Sequence, residues 1–128
     1  MAGESILIID DNPLNLKLLT YIVAARGYAV RTATTAEEAL AIMDTFLPHV
    51  LLVDIQLPGM DGLELARRVK AAPRTRHIAL FAVTANAMKG DKERALAAGC
   101  DAYFPKPVDR LALLAAIAQA VAEPCEPN

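Results

Sequence analysis

His49-Val50-Leu51-Leu52-Val53-Asp54 sets four consecutive apolar residues between a histidine and a carboxylate, with no polar residue at alternate positions. A strand with one wet face alternates apolar and polar side chains; a strand covered on both faces does not. The stretch therefore reads as an inner strand of a parallel sheet with helices on both sides. Ile78-Ala-Leu-Phe-Ala-Val83 has the same character, and shorter apolar runs occupy Ser5–Ile9, Ala29–Ala33 and residues 102–104. Helical spacing fills the gaps. Over residues 13–26, Leu19, Ile22 and Val23 share a face with Arg26 at its edge, and over 111–121 Leu114, Ile117 and Val121 do the same. Asn12-Pro13 offers an N-cap followed by proline at the first helical position, and Thr35-Ala-Glu-Glu38 reads as a capping box. Gly27 and Gly99 stand where helices should stop, Asp61-Gly62 opens the third helix and Pro73 closes it. The expectation is a strand–helix unit repeated five times in an open parallel α/β sheet.

Composition agrees. With 55% hydrophobic and 22% charged residues among 128, the chain is neither disordered nor of low complexity, and its length suits one domain. A net charge of -2 argues against a protein that coats nucleic acid. No apolar run is long enough to span a bilayer, and Met-Ala-Gly-Glu-Ser lacks the basic start of a secretory signal. Cys100 and Cys125 form no metal or redox spacing and read as reduced thiols of a soluble, cytoplasmic protein. We expect a domain over residues 1–122 and a flexible C-terminal tail over 123–128.

In open α/β sheets, ligands bind beyond the carboxyl ends of the strands, where strand order reverses. The strand ends here carry Asp10-Asp11, Asp54, Thr84 and Lys106; only the second strand ends in the plain Thr32-Ala-Thr-Thr35. Adjacent aspartates at a helix start are also what dipole capping produces, but capping explains neither Asp54 nor the lysine. Three carboxylates brought to one rim repel, and a hard cation such as Mg²⁺ relieves them. Phosphoryl transfer needs a carboxylate nucleophile, a metal bridging oxygens and a lysine clamp, because its catalysis is mostly positioning and electrostatics. Thr84 supplies a hydroxyl at the next strand end. The set reads as a phosphoacceptor rather than a metal store.

Ile8-Ile9-Asp10-Asp11-Asn12, Asp54-Ile-Gln-Leu-Pro-Gly-Met-Asp-Gly62, Val83-Thr84-Ala85 and Tyr103-Phe-Pro-Lys106-Pro107 follow one another along the chain. As an ordered set they resemble the receiver domains of two-component response regulators, the CheY-like group. Asp11-Asn-Pro-Leu-Asn15 and 84–91 look most like DivK-type single-domain regulators and the receivers of hybrid kinases. The resemblance implies a flavodoxin-like (βα)5 fold, doubly wound, with five parallel strands in the order 2-1-3-4-5. It implies that Asp54 is phosphorylated, that Asp11, Asp54 and the main-chain carbonyl of Gln56 ligate Mg²⁺ (Mn²⁺ substituting), and that Asp10 acts largely through water. Lys106 would pair with the phosphoryl oxygens, ahead of a cis peptide to Pro107, and Thr84 and Tyr103 would form the switch pair. Gln56 and Asn86 occupy positions that tune dephosphorylation in the family, and equally suit loop capping.

The implied partners are a histidine kinase or histidine phosphotransfer protein as donor and a downstream protein on the fourth helix, fifth strand and fifth helix, roughly residues 88–99 and 101–121. Direct nucleic-acid binding and membrane insertion are not expected. The chain would act on itself only, taking up and losing phosphate, and would not be an enzyme in the ordinary sense. A receiver cut from a larger hybrid histidine kinase or transcription regulator fits the same residues. A haloacid-dehalogenase-type phosphatase would need an aspartate where Gln56 stands, and a flavodoxin-like cofactor binder would find Asp10 and Asp11 repelling its phosphate. Met60 and Met88 read as packing residues, His49 and His77 as solvated. Arg67, Arg68, Lys70, Arg74 and Arg76 form a basic cluster, either a solvated face or a dock for an acidic partner.

Overall fold

The computed structural model describes residues 4–55, 62–84, 90–105 and 108–122. Five strands alternate with five helices: β1 Ser5–Ile9, α1 Pro13–Ala24, β2 Ala29–Ala33, α2 Ala36–Met43, β3 Val50–Asp54, α3 Gly62–Ala71, β4 Ala79–Thr84, α4 Asp91–Ala97, β5 Ala102–Pro105 and α5 Arg110–Ala122. All strand pairs are parallel, in the order β2-β1-β3-β4-β5. The unbroken apolar runs lie where expected: β1 and β3 are buried at every position. Because side chains alternate across a strand, each run feeds two cores. Leu7, Ile9, Leu51, Val53, Leu80 and Ala82 meet α2, α3 and α4, whereas Ile6, Ile8, Val50, Leu52 and Phe81 meet α1 and α5.

Boundaries moved by one residue at three strands. Asp54 and Thr84 are the last residues of β3 and β4 rather than the first beyond them, and β5 extends to Pro105. The ladder carries on because Asp54 still pairs with Val83, and the Ile55 amide donates to the Val83 carbonyl at 3.0 Å. Helix α1 stops at Ala24, short of Arg26. The Arg26 and Gly27 amides donate three residues back, to Val23 and Ala24, and Gly27 turns left-handed at φ 89. The capping box at α2 is modified: Thr35 Oγ1 accepts from the Glu38 amide at 3.0 Å, but the Glu38 carboxylate reaches back to Thr34, not Thr35. The fourth helix, expected over 88–99, is described as Asp91–Ala97, with residues 85–89 outside the described residues. The expected tail 123–128 also lies outside them, as does Asp61. Among the described residues no helix is long and apolar enough to cross a membrane. His49 and His77 are exposed, as expected, and His49 Nδ1 accepts from the Ser5 amide.

Much of the basic cluster is committed inside the fold. Lys70 Nζ donates to the carbonyls of Arg76 and Ile78 and to Asp101 Oδ2 at 3.0 Å, and the same Asp101 oxygen accepts from the Leu80 amide. Arg74 Nη2 donates to the carbonyls of Met43 and Asp44, closing the C-terminus of α2. Arg67 and Arg68 share Glu64 on the exposed side of α3. These two kinds of contact should separate in urea unfolding. Arg74→Ala should cost about 2 kcal/mol, because it strips a charged donor from helix-end carbonyls. Arg67→Ala should stay within about 0.5 kcal/mol, as exposed ion pairs do. Equal losses would contradict this division.

Cys100 is buried at the start of the β5 connection. Burial pushes its thiol from 9.0 up to about 11; Asp101 pushes the same way and Lys70 opposes. The fold therefore favours the neutral thiol, and its contribution to stability declines as pH rises from about 9 to about 11. In a Cys125→Ser background, a thiol reagent at pH 8 should react with the native protein far more slowly than with the urea-unfolded chain. Equal rates would show the thiol to be accessible and ionisable in the fold.

Candidate functional site

The sheet order makes β1 and β3 neighbours while the chain runs from β1 out to β2 and back, so the strand order reverses between them. Register then decides which residues meet there. Ile9 pairs with Val53, so one step further along the same ladder Asp10 faces Asp54. Adjacent strands lie about 4.8 Å apart, too close for two carboxylates to ignore each other. Asp11 follows directly. Carboxylate oxygens of Asp10, Asp11 and Asp54 all lie within 4.8 Å of one another.

The three acids are held differently. Asp10 is 1% exposed and Asp54 6%, whereas Asp11 is open to solvent. Asp10 is fixed from both ends: its amide donates to the Ala33 carbonyl at 3.1 Å, its Oδ1 accepts from the Asn12 amide at 2.9 Å and its Oδ2 accepts from Asn15 Nδ2. Asn12 in turn caps α1, its side chain accepting from the Leu14 and Asn15 amides. The first turn of α1 is thus tied to the acid beside it.

These residues fit a hard divalent cation. Mg²⁺ prefers carboxylate and water oxygens at about 2.1 Å, which spaces its ligands roughly 3 Å apart when adjacent and about 4.2 Å when opposite. A set of three carboxylates within 4.8 Å can close on one such ion with small side-chain rotations. The sequence reading also drew on the next strand ends. Thr84 is fully buried, and alternation along β4 turns it to the same face as Leu80 and Ala82. Tyr103 pairs with Ala82 across the β4–β5 ladder and packs, half-buried, against that face too. The two residues expected as a pair therefore share one side of the sheet. Lys106, Pro107, Gln56, Asn86, Met60 and Met88 lie outside the described residues.

Two features were missed in the sequence. Asn15 closes the last motif singled out after the first strand, yet its grip on Asp10 was not foreseen; a side-chain amide one turn into a helix was the available signal. Leu14, Leu18 and Tyr21 are 77%, 54% and 73% exposed. They recur at helical spacing on a face of α1 beside the one that buries Leu19, Ile22 and Val23, and with Asn12, Asn15 and Lys17 they line a shallow groove. Tyr21 also lines a cleft shared with Leu111 of α5, itself 67% exposed. A helix apolar on nearly every side was the clue that one face served the core and another did not.

A family model described as the response regulator receiver domain matches residues 6–118. Over 105 residues the chain is 43% identical to the polar-differentiation response regulator DivK of Brucella ovis and to that of Brucella abortus, covering 82% of this chain and 85% of each relative. A CheY-like response regulator receiver domain protein from Methanospirillum hungatei superposes with a TM-score of 0.86 at 33% identity, covering 94% of this chain and 95% of that one. The receiver domain of a sensor histidine kinase from Pseudomonas aeruginosa PAO1, solved with a magnesium ion coordinated in its active-site cleft, superposes with a TM-score of 0.87 at 30% identity, covering 95% and 100%. On sequence, strand order and the acids at the β1/β3 rim alike, the chain belongs to the response regulator receiver domain family.

Proposed function

We propose that this chain is a phosphoacceptor in a two-component His-Asp relay, with Asp54 as the residue that takes the phosphoryl group. The observation that carries the reading is the cluster of three carboxylates within 4.8 Å at the β1/β3 rim. Mg²⁺ bound there would neutralise the acids and the phosphoryl oxygens together, with Asp11, Asp54 and the Gln56 carbonyl as direct ligands and Asp10 acting through water; Mn²⁺ can substitute. The double hold on Asp10 by Asn12 and Asn15 supports that outer role, since both its oxygens already accept hydrogen bonds.

In the transfer, an Asp54 carboxylate oxygen attacks the phosphorus of a phosphohistidine on a histidine kinase or histidine phosphotransfer protein. The phosphorus–nitrogen bond breaks, and the imidazole nitrogen leaves with the electron pair and regains a proton. Lys106 pairs with the phosphoryl oxygens. The new group carries about -2 where the carboxylate carried -1. Thr84 donates its hydroxyl toward that charge, and Tyr103, on the same side of the sheet, turns into the space vacated. The surface of α4, β5 and α5 then reads out the change to a downstream protein. Turnover consists of uptake and loss of the chain's own phosphate.

A small phosphodonor such as acetyl phosphate with Mg²⁺ should label the protein, and Asp54→Asn should abolish the label seen by intact-mass measurement. Label persisting in that variant would remove Asp54 from its role.

The exposed stripe of α1 adjoins the acids, and we assign it to docking of the histidine-bearing donor. Tyr21→Ala and Leu18→Asp should each raise the KM for a phosphohistidine protein donor by about tenfold or more, as loss of an interface anchor does. Labelling by acetyl phosphate should stay unchanged, because that donor needs no docking surface. A matching loss with both donors would place the stripe inside the chemical site instead.

A further inference from the structure

Gly62, the first residue of α3, is pressed against the strand that ends in Asp54. A Cβ added there would sit 2.5 Å from the Asp54 carbonyl oxygen, 2.7 Å from Ile55 Cα and 3.0 Å from Val53 Cγ1. Real Cβ atoms do not approach backbone below 3.0 Å, and two of these three neighbours are backbone. Among the described glycines, Gly27, Gly90 and Gly99 have positive φ and Gly62 does not. Its lack of a side chain is therefore required by closeness, not by backbone conformation.

The peptide beneath it has nowhere to retreat. On one side the Ile55 amide donates to Val83 of β4 at 3.0 Å; on the other the Gly62 amide donates to the Ile55 carbonyl at 2.9 Å. Helix α3 is equally fixed, since Leu65, Ala66 and Val69 are buried at 0–1% exposure. A methyl group must move one of two clamped partners, and the one at its doorstep carries Asp54. We propose that Gly62 is a positioning residue: its missing side chain lets α3 seat on the Asp54–Ile55 peptide, and that seat fixes where the Asp54 carboxylate stands relative to Asp10 and Asp11. The proposal deepens the reading of the acids as a Mg²⁺ site and rests on it.

The test compares Gly62→Ala with Gly99→Ala. At Gly99 a Cβ meets only the Lys70 side chain, 2.6 Å away, at φ +109, at the opposite end of the strands. Both variants should lose thermal stability. In calorimetric titration well below either melting point, Gly62→Ala should bind Mg²⁺ at least about tenfold more weakly than the unaltered chain, the scale of a lost supporting contact at a metal site. Gly99→Ala should bind it as the unaltered chain does. Unchanged affinity in Gly62→Ala, or an equal loss in Gly99→Ala, overturns the proposal. Absence of Mg²⁺ binding by the unaltered chain overturns it together with the reading beneath it. Amide hydrogen exchange on the unaltered chain gives a second measurement that needs no folded variant. Mg²⁺ should slow exchange at the Gly62 and Ile55 amides and leave Cys100 alone; no slowing at Gly62 overturns the seat.

Discussion

Parallel register forces like charges together in this molecule, and much else follows from that constraint. Ile9 pairs with Val53, so Asp10, whose amide is held on the Ala33 carbonyl, and Asp54 follow side by side across one strand spacing. Repulsion of this kind is costly where the acids are buried and water cannot screen it. The fold meets part of the cost with its own dipoles: Asn12 and Asn15 hold Asp10, and the first turn of α1 is tied into the same network. Three carboxylates held this close are also a set that could hold a hard cation.

The rest of the chain keeps that rim rigid. Two apolar cores clamp the central strands from both sides, and the strands carrying Asp10 and Asp54 are inner ones, β1 and β3. At the far end of the sheet, Lys70, Asp101 and Arg74 tie loops and helix ends to strand starts. Charge thus ties the scaffold together at one end of the sheet, while at the other the carboxylates of Asp10, Asp11 and Asp54 gather. A stiff support keeps the geometry of the rim fixed.

Fold and acids were legible from residues because each rests on a local signal. His49–Val53 reads as an inner strand from four apolar side chains, and Asp10, Asp11 and Asp54 lie where such strands end. What sequence could not supply was anything set by distance. The near-contact of Gly62 with the Asp54 carbonyl depends on how α3 lands, and glycine at a helix start is otherwise unremarked. The basic cluster looked like a free face because its partners, the carbonyls of Met43 and Asp44 and the Asp101 carboxylate, are some thirty residues away in sequence. The exposed stripe of α1 went unread for a different reason: one helical face was already explained by Leu19, Ile22 and Val23. Strand ends slipped by one residue because a polar side chain at Asp54 or Thr84 does not prevent its backbone from continuing the ladder.

The central claim, that the acids at the β1/β3 rim form one divalent-cation site, is most directly tested with Mn²⁺ added to ¹⁵N-labelled protein. Its unpaired electrons broaden nearby amide signals steeply with distance. The account predicts that Asp10, Asp11, Asp54 and Ile55 broaden first and together, and that added Mg²⁺ restores them competitively. Broadening centred on another acidic stretch, such as Glu37-Glu38, or shared diffusely by all exposed carboxylates, would contradict it.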